Sequence, residues 1–281
     1  MKRCEVIVVF LKNKVEKSIV IAVMFIGGLL VALPFIWMIL SSFKNETEVL
    51  AIPPTVFPKE PTFSHYIELF QNLNFDVYLV NTLIIVFFSM IGLLLNTMAG
   101  YGFGKFQFKG KETWFMVVLV TMMLPGQVTM IPTYLILNEM GLTNTMAGII
   151  LPGLISAFNI FLIRQFMVTI PDDLIEAARL DGAGEFYIFT RLIIPLAKPI
   201  LAVQVILTFI ASWNSFLWPL IIANDQSLYT LSVGLSLLQD ENVTNYGLQM
   251  AGSALMVIPI IIIFSIFQKY IIEGFNVSGI K

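Results

Sequence analysis

The sequence predicts an all-α, polytopic membrane protein of six transmembrane helices, and three observations carry that reading. Only 12% of the 281 residues are charged while 58% are hydrophobic, against about 25% charged in soluble domains. Such a chain cannot cover its own surface in water. Six stretches reach the roughly 20 apolar residues needed to cross hydrocarbon: 18–40, 77–102, 113–137, 140–163, 199–223 and 248–267, none containing Asp, Glu, Lys or Arg. Lys and Arg gather in alternate connections between them, which sets an orientation.

The first stretch follows Lys2, Arg3, Lys12, Lys14 and Lys17 and faintly resembles a signal peptide. It is too long for a signal core, and no small-residue cleavage pattern follows at Leu40-Ser-Ser-Phe-Lys44, so it reads as a retained span. Lys105, Lys109 and Lys111 follow the second stretch, and Arg164, Arg179, Arg191 and Lys198 follow the fourth. Lys269 and Lys281 follow the sixth, which leaves Lys44 and Lys59 for the opposite side. Residues 1–17 and the tail 273–281 are therefore expected in the cytoplasm.

The outer connections differ in character. Residues 41–76 hold Pro53, Pro54, Pro58 and Pro61, an extended run, before Phe63-Ser-His-Tyr66 starts a short helix. The 138–139 connection is expected to be very tight. Residues 224–247 carry Asp225, Asp240 and Glu241 without a basic residue and suit a folded excursion.

Several function classes are poorly supplied. A net charge of −2 gives no nucleic-acid surface, and single Cys and His residues (Cys4, His65) provide neither a disulfide framework nor a metal cluster. No catalytic set is visible. Gly104-Lys-Phe-Gln-Phe-Lys-Gly110-Lys111-Glu112 is one residue too long between glycines for a phosphate loop, and Glu112 stands where Ser or Thr should bind Mg²⁺. Gly100-x-x-x-Gly104 reads instead as a helix-packing face.

Polar residues within the stretches are more informative. Gln204, Thr208, Ala211 and Ser215 recur at helical spacing beside Trp213 and Asn214; Asn81, Ser89, Gly92 and Asn96 share a broad face of the second stretch; Asn159 sits in the fourth. Amides and hydroxyls bond across helices in lipid, so each has a structural reading. Collectively Asn81, Asn96, Gln204, Thr208, Asn214 and Ser215 also suit a wet path. With Trp213 and Trp218 nearby and no intramembrane charge, that path fits a neutral polyhydroxylated solute. Pro125-Gly126, Pro152-Gly153 and Pro259 are expected to kink their helices.

The inner connection 164–198 is not a plain linker. Asp173-Leu-Ile-Glu176 is an Asp form of the capping box, and Gly182 and Gly184 can end the helix it starts. A helix this short is marginal alone, so its apolar side, Leu174, Ala177 and Ala178, wants a partner. Lying on lipid headgroups is the alternative, which leaves the paired glycines unexplained. Glu176-Ala-Ala-Arg-Leu-Asp181-Gly182, with Ile194-Pro195 downstream, resembles the EAA loop of ABC importer inner-membrane permeases, and more narrowly the carbohydrate-uptake permeases of the maltose-transporter type. Pro34-Phe-Ile-Trp37, Asn81-Thr-Leu83, Ala99-Gly-Tyr-Gly-Phe-Gly-Lys105, Trp213-Asn214 and the tail from Gly274 extend the likeness along nearly the whole chain. Thr82 and Gly100 depart from the Ser and Ala common there.

That resemblance implies a non-catalytic permease subunit of the bacterial cell membrane, importing a neutral sugar or oligosaccharide. It implies a second permease, two copies of a cytoplasmic ATPase that carry ATP and Mg²⁺, and an extracytoplasmic solute-binding protein, with no cofactor in this chain. Glu176, Ala177, Ala178, Asp181, Gly182 and Pro195 would couple to the ATPase. An ion-coupled transporter would need intramembrane carboxylates or cations, and an intramembrane enzyme a nucleophile–base pair or metal ligands; a permease for another small solute stays open. The orientation has a direct test: a cysteine near Ala178 should react only with cytoplasmic reagents and one near Gln239 only from outside, and labelling of both from one side overturns the six-span topology.

Overall fold

The structure, a computed structural model, describes residues 14–238 and 245–277. Cys4, the basic segment before Lys14, the Gln239 labelling position, Asp240, Glu241 and the end of the tail lie outside the described residues. Among those described there is no strand. Helices run at α1 Lys14–Ser41, α2 Ser64–Asn72, α3 Phe75–Lys105, α4 Lys111–Met122, α5 Gly126–Glu139, α6 Met146–Ile150 and α7 Ala157–Thr169. They continue with α8 Asp172–Leu180, α9 Lys198–Trp213, α10 Leu217–Ile222, α11 Leu231–Leu237 and α12 Tyr246–Val277. Among the described residues, five helical runs are long and apolar enough to cross a membrane, or six when the α4–α5 pair counts as one.

Two expected stretches are rearranged. The third, 113–137, is not one kinked helix, because α4 and α5 meet at 103°. Pro125 stands at the N-cap of α5 with ψ 130°; it has no N–H to continue the ladder and pushes Leu124 away from helical geometry. The fourth begins at Met146 rather than 140 and runs to Thr169. Gly141 and Asn144 adopt positive φ, 68° and 53°, which unwinds 140–145 in place of the tight turn, and the Thr145 hydroxyl caps α6 by accepting from Gly148 N at 3.1 Å. Pro152-Gly153 lies in a 3-10 turn, Leu151–Gly153. The excursion after α10 holds a 3-10 turn at Gln226–Leu228 and then α11.

The chain forms two compact units, one made of the segment to Asn74 with Leu235–Ile258, the other of Phe75–Gly234 with the stretch from Pro259. In the first, Lys44 is 1% exposed, donating to Thr55 O at 2.5 Å with its ammonium 4.4 Å from the Trp37 ring centre. Burial is tolerated because the charge keeps a carbonyl and an aromatic face. His65, which the sequence leaves without a role, is also buried, its Nε2 at 2.9 Å from Lys44 O. Gly247 packs directly on that ring. The Glu46 carboxylate accepts from Tyr246 N and Gly247 N at 3.2 and 3.1 Å, satisfying the free amides that open α12.

The second unit is organised by α3 against α7. Gly92, Asn96, Gly100 and Gly104 form an i, i+4 row along α3. A Cβ on Gly92 would lie 2.3 Å from Leu154 O, one on Gly100 2.7 Å from Ile163 Cγ2, and one on Gly104 2.6 Å from Met167 Cβ. Only bare backbone permits that approach. Asn96 uses the same row for hydrogen bonds, donating to Leu154 O at 3.2 Å and accepting from Ser156 N at 3.1 Å. Gly92→Ala should therefore destabilise the protein by about 1–3 kcal/mol through overpacking, whereas Gly102, with nothing within 4 Å, should accept Ala. Thermal midpoints of the two purified variants in detergent check this, and equal midpoints would refute the close approach.

Candidate functional site

The α8 helix begins at Asp172, with Pro171 at its N-cap and no side-chain cap bond. The expected Asp173–Glu176 capping box is therefore not formed: the N-cap lies two residues earlier, at Pro171, so Asp173 is already inside the first turn. Asp172 and Asp173 there still oppose the positive end of the helix. The other end follows expectation. Gly182 has φ +82°, Gly182 N donates to Arg179 O and Ala183 N to Ala178 O, both at 3.0 Å, which is the Schellman pattern.

The two faces of α8 are divided differently from the expected apolar side. Ile175, 3% exposed, and the half-buried Ala178 pack into a core with Leu93, Tyr101, Met167 and Ile188. Leu174, Glu176, Ala177 and Asp181 stay exposed, and Leu180 is 89% exposed. Phe186 and Tyr187 continue the exposed apolar surface. Arg179 Nε donates to Glu185 Oε1 at 2.7 Å, a bond that favours the charged guanidinium, but both partners are solvated and the pair adds little stability. Beyond it, Ile188–Ile193 is a π-helix whose wide turn accommodates exposed Pro195, a residue with no N–H to offer.

Sequence reasoning overlooked Lys105, the last residue of α3. Its side chain is 3% exposed, and its ammonium donates both to Ile170 O, where α7 ends, and to Asp172 Oδ1 at 2.6 Å, where α8 starts. Asp172 is 72% exposed, so that half of the contact is worth under about 1 kcal/mol. The buried half dominates, since stripping the partners from a buried cation costs about 3–5 kcal/mol.

A cavity of about 650 Å³ opens among α3, α5, α7, α9 and α10. Its polar lining is Ser89, Thr129, Thr133, Ser156, Asn159, Thr208, Ser212 and Ser215, with Trp218 on one wall and no ionisable side chain. Asn159 Nδ2 donates to Thr208 Oγ1 at 3.3 Å, and Trp218 is held by its N–H to Gly148 O at 3.1 Å. Of the six path candidates, the cavity receives Thr208 and Ser215 only. Asn81 is committed to Ser227 O and Tyr229 O, and Asn96 to the α3–α7 seam. Gln204 is fully buried, with both amide atoms unpartnered among the described residues. Asn214 is exposed at the end of α9, and Trp213 is buried, stacked on Phe209. Thr129 and Thr133, also overlooked, follow the Pro125-Gly126 break at helical spacing; that four-residue interval was the available signal.

Among the described residues, helices apolar enough to cross a membrane, a short amphipathic helix and a hydroxyl-lined cavity between helices together make the architecture of a membrane transport subunit. The chain belongs to the family of binding-protein-dependent transport system inner membrane components, matched over residues 96–276, and is a non-catalytic permease subunit of an ABC importer. It is 36% identical over 258 residues to the arabinooligosaccharides transport system permease protein AraQ of Bacillus subtilis (strain 168), covering 90% of this chain and 92% of that one. It is 29% identical over 262 residues to the sn-glycerol-3-phosphate transport system permease protein UgpE of Brucella abortus (strain 2308), covering 90% and 93%. A chain in the crystal structure of a bacterial ABC transporter involved in import of the acidic polysaccharide alginate superposes with a TM-score of 0.80 at 27% identity, over 92% of this chain and 99% of that one.

A Cβ at Gly182 meets nothing within 4 Å, so any penalty there comes from backbone conformation, about 1–2 kcal/mol and more for a β-branched residue. Gly182→Val should abolish solute-stimulated ATP hydrolysis in the assembled complex, while Gly182→Asn, tolerant of positive φ, should retain much of it. Normal transport by the valine variant would remove the role of this turn.

Proposed function

We propose that this permease pairs with a second, similar permease to form the path for an uncharged sugar or oligosaccharide. A solute-binding protein delivers the solute from outside, and two copies of a cytoplasmic ATPase hold the ATP and Mg²⁺. The carrying observation is the cavity, whose polar groups are hydroxyls and one amide, with an indole for the apolar face of a sugar ring. A charged solute in a low-dielectric path needs a counter-charge, and the lining offers none. AraQ, named for arabinooligosaccharides, supports this reading; the glycerol-phosphate relative supports the alternative of another small solute.

Energy enters through α8. Leu174, Ala177 and Leu180 present a small apolar face framed by Glu176 and Asp181, suited to a cleft on the ATPase. The Schellman exit at Gly182 turns the chain back to the π segment and Pro195, which lead into α9 with its cavity residue Thr208 and, just past its end, Ser215. Closure of the ATPase dimer thus pulls on α8 and tilts the helices lining the cavity. Both chain ends lie in the cytoplasm on this reading.

In proteoliposomes holding the complete importer, arabinotriose or maltotriose should be taken up in preference to sn-glycerol 3-phosphate. Thr208→Val should lower that uptake about three- to tenfold, as loss of one hydrogen bond at a partly dry site, with no change in complex yield. Preference for the phosphate ester, an amino acid or a peptide over every neutral sugar overturns the substrate reading.

A further inference from the structure

We propose that Lys105 is a positioning residue for energy coupling, a buried latch that makes the inner end of α3 move with α8. The proposal rests on the reading of α8 as the ATPase-docking helix and adds a route that bypasses the covalent connection into α9. Three observations carry it. The ammonium is the last side chain of α3, nearly closed to solvent, and its two acceptors belong to two successive elements, the carbonyl that ends α7 and the carboxylate that starts α8. Above that point α3 lies directly on the run from Leu154 to Met167, with Gly92 against the Leu154 carbonyl and Gly100 and Gly104 against the Ile163 and Met167 side chains, so neither can slip against the other without separation. Beneath it, Ile175 of α8 is buried in the same core as Tyr101 of α3, Met167 of α7 and Ile170 just past its end.

A force on α8 therefore reaches its N-terminal end as well as its C-terminal one. Through Lys105 it is passed to α3, which carries Ser89 at the cavity wall. Apolar packing of Ile175 tolerates sliding and rotation, because dispersion has little directional preference. A charge-assisted hydrogen bond to a carboxylate and a helix-terminal carbonyl does not. Lys105 thus converts a greasy contact into one with a fixed direction. Arg can supply the same charge and more donors, whereas an unbranched apolar side chain of similar length fills the space and transmits nothing directional.

The test uses the whole importer, purified with its own ATPase, partner permease and binding protein, in a Cys4→Ser background with Ala211→Cys as reporter in the cavity. An impermeant maleimide reports cavity access with and without MgATP and vanadate. In the parent, nucleotide trapping should change the labelling rate; no change there refutes the proposed coupling of the ATPase through α8 to the cavity, independently of Lys105. In Lys105→Met, complex yield and basal ATP hydrolysis should persist while the nucleotide-dependent change in labelling falls about tenfold, within the range of allosteric couplings. Lys105→Arg should restore it, and Asp172→Asn should weaken it less, its carboxylate being solvated. A merely structural lysine would lower yield or thermal midpoint and leave the labelling ratio intact. The proposal is overturned by a parent-like ratio in Lys105→Met, or, should that variant fail to assemble, by a parent-like ratio in Asp172→Asn.

Discussion

Helices in hydrocarbon gain little by hiding apolar surface from lipid that is equally apolar, so close backbone approach and shared hydrogen bonds must hold them together. In this permease that constraint is met along one row, Gly92, Asn96, Gly100 and Gly104 of α3, set against the run from Leu154 to Met167. The three glycines bring the two backbones together, and Asn96 satisfies the carbonyl of Leu154 and the amide of Ser156 where the 3-10 turn gives way to α7. Much else is hung on this seam. The core beneath α8 lies at its Gly104 end, and Ser89 and Asn159 reach the cavity from its two sides.

Irregular backbone survives within these apolar stretches where it faces the cavity. Breaks at Pro125-Gly126 and Pro152-Gly153 release carbonyls and amides that hydrocarbon cannot satisfy. Both glycine breaks line the cavity. The polar groups that interrupted helices leave behind are thus collected at the wall of one cavity.

Much of the fold was legible in the sequence because its strongest signals are local. Long uncharged runs mark helices, alternate basic connections give an expected orientation, and Gly182 marks a turn that its positive φ requires. What stayed hidden depends on partners distant in sequence. No periodicity separates Gln204, buried with unpartnered amide atoms, from Thr208 one turn on, which reaches the cavity. Asn81 and Asn96 looked like path residues because an amide in a span reads the same whether it bonds a backbone or a solute. The α4–α5 bend was underestimated for a related reason. A proline in a span signals a missing bond but not whether neighbours straighten the helix or let it turn. Leu180 escaped notice on α8 because its exposure follows from Ile175, not Leu174 or Ala177, being the residue the core accepts.

The uncharged lining of the cavity has an electrical consequence. A unit charge carried across a membrane held at 100 mV exchanges about 2.3 kcal/mol with the field. On the reading proposed above, in which these walls change the side they face around a neutral passenger, hydroxyls, one amide and an indole displace only dipoles. This subunit's share of the switch then neither draws on the membrane potential nor works against it.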